Sequence, residues 1–123
     1  MNIQSVANIL NTRSPDNASI SFEDLLKCDL QGHPGTEVIV SITTVPAHTT
    51  LPKHWHPGEE FAYVLEGSIT LLQDGKPDEI YRKGDAAKVP LKQIHTIATG
   101  NEAATVLVFR VHEGDQPGRI LVD

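Results

Sequence analysis

The sequence is short of several things, and each shortage closes a route. Its 123 residues hold one cysteine, Cys28. A single thiol cannot close an internal disulfide, which fits a reducing compartment and places the protein in the cytoplasm. Cys28 itself is expected to be a small, inert packing residue rather than a nucleophile. Basic residues are outnumbered, with 10 Lys and Arg against 16 Asp and Glu and a net charge of −6. Nucleic-acid affinity rests on cations set against phosphates, so no nucleic-acid partner is expected. No basic run or basic amphipathic stretch suits a membrane surface, so no membrane partner is expected either. No apolar run approaches the ~18 residues of a transmembrane helix. Residues 1–10 lack a basic start, and Asn8 breaks their apolar run, so they make a poor signal peptide. Gly32-x-x-Gly35 is followed neither by Lys-Ser nor by a helix, which removes a phosphate-loop reading. No Gly-x-Ser-x-Gly elbow occurs, so serine-hydrolase chemistry has no support. Helical periodicity is scarce as well. Nothing after residue 30 reads as a helix longer than about two turns.

What is present is β-pattern. Hydrophobic content of 39% and charged content of 21% are ordinary for a globular chain. The length suits one domain with a real core. Val6, Ile9 and Leu10 fit one helical turn or a short strand, and residues 11–19 read as a loop. Phe22, Leu25 and Leu26, spaced i, i+3, i+4, suit a helical turn or an edge segment. From residue 37 the chain becomes β-branched. Strands are expected over 37–45, 54–56, 61–65, 68–73, 79–82, 86–89, 94–99 and 104–111. Gly67 joins or kinks two of them, and Asp74-Gly75 marks a hairpin. Short strands with frequent turns mean an all-β sandwich or barrel. The expected division is an N-terminal extension, 1–35, packing on the barrel or on a partner, followed by a single barrel, 36–123.

The chemistry gathers at His54-Trp55-His56-Pro57-Gly58-Glu59-Glu60. Residues i and i+2 of an extended chain point to one face, so His54 and His56 aim both imidazoles at one point. Glu60 has the same parity once a turn at Pro57-Gly58 folds the next strand back. His95, in a later strand, is the fourth candidate ligand. Three imidazoles and a carboxylate, with no thiolate, suit one divalent first-row transition metal. Mn, Fe or Ni is favoured over Zn and Cu, because four protein ligands leave positions free on a five- or six-coordinate ion. A lone histidine would be an ordinary core or surface residue. The combined spacing H-x-H-x₃-E with a distant strand histidine outweighs that reading.

On these residues the chain resembles a small single-domain cupin. The first cupin motif reads Gly, five residues, His-x-His, three or four residues, Glu, six residues, Gly. His54, His56, Glu60 and Gly67 match it, and His48 stands where the leading Gly belongs. The second reads Gly, five residues, Pro-x-Gly, two residues, His, three residues, Asn. Gly84, Pro90 and His95 match, while Lys92 replaces the Gly and Thr99 the Asn. The resemblance covers residues 36–112. It implies an all-β double-stranded β-helix, or jelly roll, with the metal inside the barrel. It also implies dioxygenase- or isomerase-like chemistry on a small organic molecule and a homodimer. The other reading is a metal-loaded or ligand-sensing module without turnover.

Parity then predicts the lining. Ala62 and Val64 follow Glu60 inward, and Ile97 and Thr99 follow His95, which makes a small, mostly apolar cavity for a small-molecule ligand. No second general base is evident, and no arginine is placed to clamp a carboxylate. Catalytic residues beyond the ligands are unassigned, and proton transfer falls to Glu60 or to bound water. Phe61, Tyr63 and Leu65 face outward, toward a partner or the N-terminal segment. Glu59 points away as a solvated carboxylate. His48 is an exposed loop residue or a rim residue, His33 and His112 carry no chemistry, and Trp55 packs away from the metal. The apolar end, Ile120-Leu121-Val122, is spare edge material for a dimer.

Overall fold

The β-branched content of the middle of the chain has one economical outcome, a set of strands that hydrogen-bond to one another and bury alternate side chains. The structure is a computed structural model that describes residues 19–114, 117 and 119–122. The expectations for Val6, Ile9 and Leu10, and for the loop up to residue 18, lie outside the described residues. Those residues form ten strands and no helix. They are β1 (Ser21–Asp29), β2 (Thr36–Val45), β3 (His54–Trp55), β4 (Glu59–Glu66) and β5 (Ser68–Gln73). Then come β6 (Glu79–Arg82), β7 (Ala86–Val89), β8 (His95–Ala98), β9 (Ala104–Glu113) and β10 (Ile120–Leu121). Among the described residues no helix is long and apolar enough to cross a membrane.

The strands make two antiparallel five-stranded sheets, ordered β1-β2-β9-β4-β7 and β10-β3-β8-β5-β6. β5 shows the alternation plainly. Ile69, Leu71 and Gln73 are buried, while Ser68, Thr70 and Leu72 between them are half-buried. One core cluster, Val64, Ile69, Ala104 and Val106, draws on both sheets. Val64, Ile69 and Val106 each contribute roughly 1.5–3 kcal/mol by leaving water, and Ala104 less. Above it the inner faces diverge into a cavity.

Crossings from sheet to sheet are where the backbone bends hardest. The chain passes from β4 to β5 through Gly67, at φ 73°, and from β6 to β7 through Gly84, at φ 91°. The crossings β2–β3 and β7–β8 contain the two non-glycine residues with positive φ among the described residues, His48 at 54° and Lys92 at 60°.

One terminal segment resolves an open alternative and the other departs from expectation. Residues 21–29 form an edge strand, not a helical turn. The exposed backbone of β2 needs a partner, and pairing at eight positions along β1 outweighs the local i, i+3, i+4 pattern. A register shift between Asp24 and Leu26 accommodates the mismatch. The Ile120–Leu121 end is not spare material. It pairs with β3, Ile120 against Trp55 and Leu121 against His54, and so covers an edge of its own sheet.

Candidate metal centre

Three strands and a turn deliver the site. β3 and β8 pair at a single position, His54 opposite His95. Directly opposed residues share a face, so both rings enter the cavity side by side. Their centroids lie 4.3 Å apart, and His56 completes the triangle at 4.9 Å from His54 and 5.1 Å from His95. Glu60 comes from β4 in the facing sheet, brought back by the Pro57-Gly58 turn. One ligand atom from each of His54, His56, Glu60 and His95 lies within 4.8 Å of the others. Every candidate ligand expected from the sequence is therefore in one place.

Hydrogen bonds outside the cluster orient the rings. His54 Nδ1 is 2.9 Å from the Pro52 carbonyl, and His95 Nδ1 is 2.8 Å from the Gln93 carbonyl. A carbonyl only accepts, so both Nδ1 atoms carry the proton and both Nε2 atoms present a lone pair inward. This is how proteins usually fix metal-binding imidazoles. His95 Nε2 is buried and has no hydrogen-bond partner, and it faces Glu60 Oε1 at 3.9 Å. His56 Nε2 contacts Glu60 Oε2. Burial pushes the His54 imidazole down to about 4, against the Pro52 carbonyl that favours the cation. Burial lowers His95 too, opposed by Glu60. Burial alone would raise Glu60, but the His56 hydrogen bond and the neighbouring imidazoles hold it below the usual carboxylate range. Neutral rings beside an ionised carboxylate are the protonation states a divalent metal requires. The donor set and the unpartnered His95 Nε2 both fit such an ion.

The cluster forms the polar end of a cavity of about 310 Å³. Ala62, Ile69, Leu71, Val89, Ile97 and Val108 supply much of its apolar wall. Ala62 and Ile97 line it as parity predicts. Val64 does not, because it sits deeper in the core cluster. Nor does Thr99, whose Oγ1 accepts from the Thr49 amide at 3.1 Å and donates to the Pro46 carbonyl. That residue ties the crossing loop together where the cupin motif carries Asn.

The sequence showed no arginine placed to clamp a carboxylate, yet two arginines reach the cavity. Arg110 and Arg119 both line it, with Ser41 and Thr43. Arg110 lies opposite Glu60 in the β4–β9 register and shares the inner face with Val106 and Val108. Its signal was parity with those two valines, masked because the other face of β9 is apolar as well. Arg119 precedes β10 and rests on the Phe22 ring, 4.5 Å from its centroid. No local pattern announces it, since long-range pairing of β10 with β3 carries it there.

Other residues fall outside the site. Glu59 pairs with Lys88 Nζ at 2.6 Å on the outer face. His33 and His48 are exposed in turns. His112 is buried, its Nε2 3.4 Å from Glu37, its cross-strand neighbour on β2. Trp55 pairs with Ile120 and does not line the cavity. Cys28 is exposed on β1 rather than packed, because β1 is an edge strand.

Two facing antiparallel sheets around an inward cluster of three imidazoles and one carboxylate define a class, the β-barrels with a metal-competent centre. A family model described as the cupin domain matches residues 41–110, more than half of the chain, and the chain belongs to that family. Solved structures agree on the fold. The chain is similar to the DMSP lyase DddQ of Ruegeria pomeroyi, with TM-score 0.68 and 24% identity over 84% of this chain and 51% of that one. A double-stranded β-helix protein of Klebsiella pneumoniae gives TM-score 0.69 and 20% identity, covering 94% of both chains. The polyketide cyclase RemF of Streptomyces resistomycificus gives 0.61 and 22%, over 85% of this chain and 81% of that one. This chain spans about half the length of the DMSP lyases it resembles, 51% and 44%. No curated protein matches it by sequence. The all-β double-stranded β-helix expected from the motifs is the fold observed.

Proposed function

We propose that the protein is a metal-dependent cupin enzyme acting on a small organic molecule, with dioxygenase- or isomerase-like chemistry. One observation carries this reading, the convergence of His54, His56, Glu60 and His95 at the closed end of a mostly apolar cavity. His54 and His95 would hold one divalent ion through Nε2, with His56 and a Glu60 oxygen completing the set. Mn, Fe and Ni fit three nitrogens and one oxygen with room for a substrate; Zn and Cu fit less well. When bound, such an ion supplies Lewis acidity and a template for the substrate. The chain supplies the rest. Its carbonyls at Pro52 and Gln93 lock the rings. Its apolar walls take up the substrate body and exclude water. Glu60, held ionised, is the proton acceptor nearest the cluster. The structural relatives include a lyase, a cyclase and an oxalate oxidase. Such different activities on one fold leave the choice of reaction to the site.

The test has two stages. Elemental analysis of the purified protein should find about one first-row metal per chain, by the ligand count. Unchanged metal in the His54→Ala/His56→Ala variant would remove the site assignment. Reconstitution with Mn, Fe, Ni or Cu, followed by O₂ uptake and substrate loss over catechols, flavonols, thiols and β-diketones, then reads turnover. Saturable binding without conversion would favour the binding or sensing module, which the scarcity of general bases in the cavity supports.

A homodimer belongs to the same proposal. Phe61, Tyr63 and Phe109 are about 40% exposed together on the outer face of the first sheet, at 39%, 44% and 41%. Exposed aromatic clusters of this kind commonly mark contacts between subunits. Light scattering after gel filtration checks it, with a monomer as the opposing result. The exposed thiol of Cys28 supports a reducing, cytoplasmic setting.

A further inference from the structure

The cavity contains more cation than the metal cluster can use. Its charged lining, among the described residues, is Glu60, Arg110 and Arg119 beside the imidazoles. Glu60 is engaged by His56 and lies opposite Arg110 in the strand register, so those two charges offset one another. Arg119 is different. Among the described residues it forms no ion pair, and its guanidinium lies on the Phe22 ring, 4.5 Å from the centroid. Phe22 lines the cavity yet is 50% exposed, so the stacked pair stands at the solvent end of the cavity. Stacking on an aromatic face pre-orients the planar fork while leaving its edge N–H groups to bind. A divalent ion at the histidine cluster would add two more positive charges to a site that already carries one in excess.

We propose that the cavity binds small organic anions, with Arg119 receiving a carboxylate at the mouth while the apolar body of the ligand lies between Phe22 and the metal centre. This rests on reading the four-residue cluster as a metal site. A carboxylate suits the place better than a phosphate. One guanidinium fork matches two carboxylate oxygens in a bidentate pair. A doubly charged phosphate would need further donors, and the walls offer mainly alkyl groups. The volume of about 310 Å³ is at the low end for ligand pockets, which limits the body to a short chain or a single ring. Arg119 is thereby a specificity-determining residue, separate from the ligands. Position 119 sits where the chain enters β10, so pairing of that edge strand with β3 sets the reach of the guanidinium.

Calorimetry with two isosteric probes tests this, 3-methylbutanoate and 3-methylbutanamide, on wild type, Arg119→Gln and Arg119→Lys, each with its metal content measured. The expected result is at least tenfold tighter binding of the carboxylate to wild type. Arg119→Gln should lose that preference with its metal content unchanged, and Arg119→Lys should keep part of it, since the charge remains without the fork. Equal affinity for the two probes, or no binding of either, would overturn the proposal. A preference that survives Arg119→Gln would belong to the metal and would also overturn the role given to Arg119. Wild type without metal after reconstitution would end the metal-site reading instead. The same titrations on that metal-free protein would still decide whether Arg119 selects anions. Near-UV circular dichroism separates loss of binding from loss of fold.

Discussion

At the scale of single residues, the two positions where the chain departs from glycine in the cupin motifs, His48 and Lys92, are also the two non-glycine residues with positive φ among the described residues. The fold asks for a left-handed residue at each place, and the sequence supplies a strained one. An L-residue there costs about 1–2 kcal/mol, part of which glycine gives back through its freer unfolded chain. His48→Gly and Lys92→Gly should therefore each stabilise the protein by about 0.5–1 kcal/mol. Urea titrations with an unchanged m-value are the check, and a lower midpoint in both variants would mean that neither turn stores strain. A second residue-scale effect is set by His54. Its imidazole titrates near 6.5 in the unfolded chain and at about 4 in the fold. Between those values the unfolded chain takes up a proton that the folded one refuses. Stability from this group is thus full above about pH 6.5 and is lost as the pH falls toward 4. His95 is shifted the same way, and Glu60, held low, adds a loss at still lower pH. Melting temperatures of the metal-free protein should fall through this window, and His54→Gln should flatten the slope. The convergence of the candidate ligands was legible in the sequence because period-2 spacing in an extended chain places His54 and His56 on one face. Arg110 was hidden by a strand apolar on both faces, and Arg119 by a contact that only tertiary pairing creates.

At the scale of elements, the strands were legible and their partners were not. Residues 68–73 were expected as a strand and found as β5, because polar and apolar side chains alternate over Ser68–Leu71 and Gly67 and Asp74-Gly75 end the run. β4 and β9 run longer than their apolar cores, since ladder pairing continues through Glu59 and Glu113. β1 was ambiguous because its apolar spacing suits a helix, and the unpaired edge of β2 decided against it. The two ends of the chain use β1 and β10 to cover outer strands, and each brings one member of the Phe22–Arg119 stack to the cavity mouth. The crossing at Gly67 shows what the geometry between elements demands. Its φ is 73°, and an added Cβ would lie 2.2 Å from the Ala103 carbonyl oxygen. Gly75, in the β5–β6 hairpin, has a similar φ of 78° and open space around it. Gly75→Ala should cost about 1 kcal/mol, the left-handed penalty alone. Gly67→Ala should cost more than about 3 kcal/mol, because the β4–β5 corner must also move off the Ala103 backbone. Equal losses in chemical denaturation would show that the corner yields without strain.

For the whole molecule, the candidate metal centre draws its residues from both sheets. Glu60 belongs to β4 of one sheet, while His54 and His95 belong to β3 and β8 of the other. Backbone carbonyls hold the His54 and His95 rings, and burial favours the neutral form of both, the form a divalent ion binds. An ion that joins the sheets binds the fold and not the unfolded chain, whose ligands are scattered. Stabilisation then follows RT ln(1 + [L]/Kd), about 2.7 kcal/mol at a hundredfold excess over Kd. For a domain of this size that is a rise of roughly 10 °C in melting temperature. Chelator-stripped protein should melt lower by about that amount and recover with Mn, Fe or Ni in excess. Glu60→Gln is the informative variant. It removes the carboxylate that links one sheet to the histidines of the other, so the metal-dependent rise should shrink sharply. Its metal-free melting temperature should change less, because the amide oxygen still reaches His56. A full metal-dependent rise in Glu60→Gln would mean that the three histidines hold the ion within one sheet, and the bridging role of Glu60 would be lost.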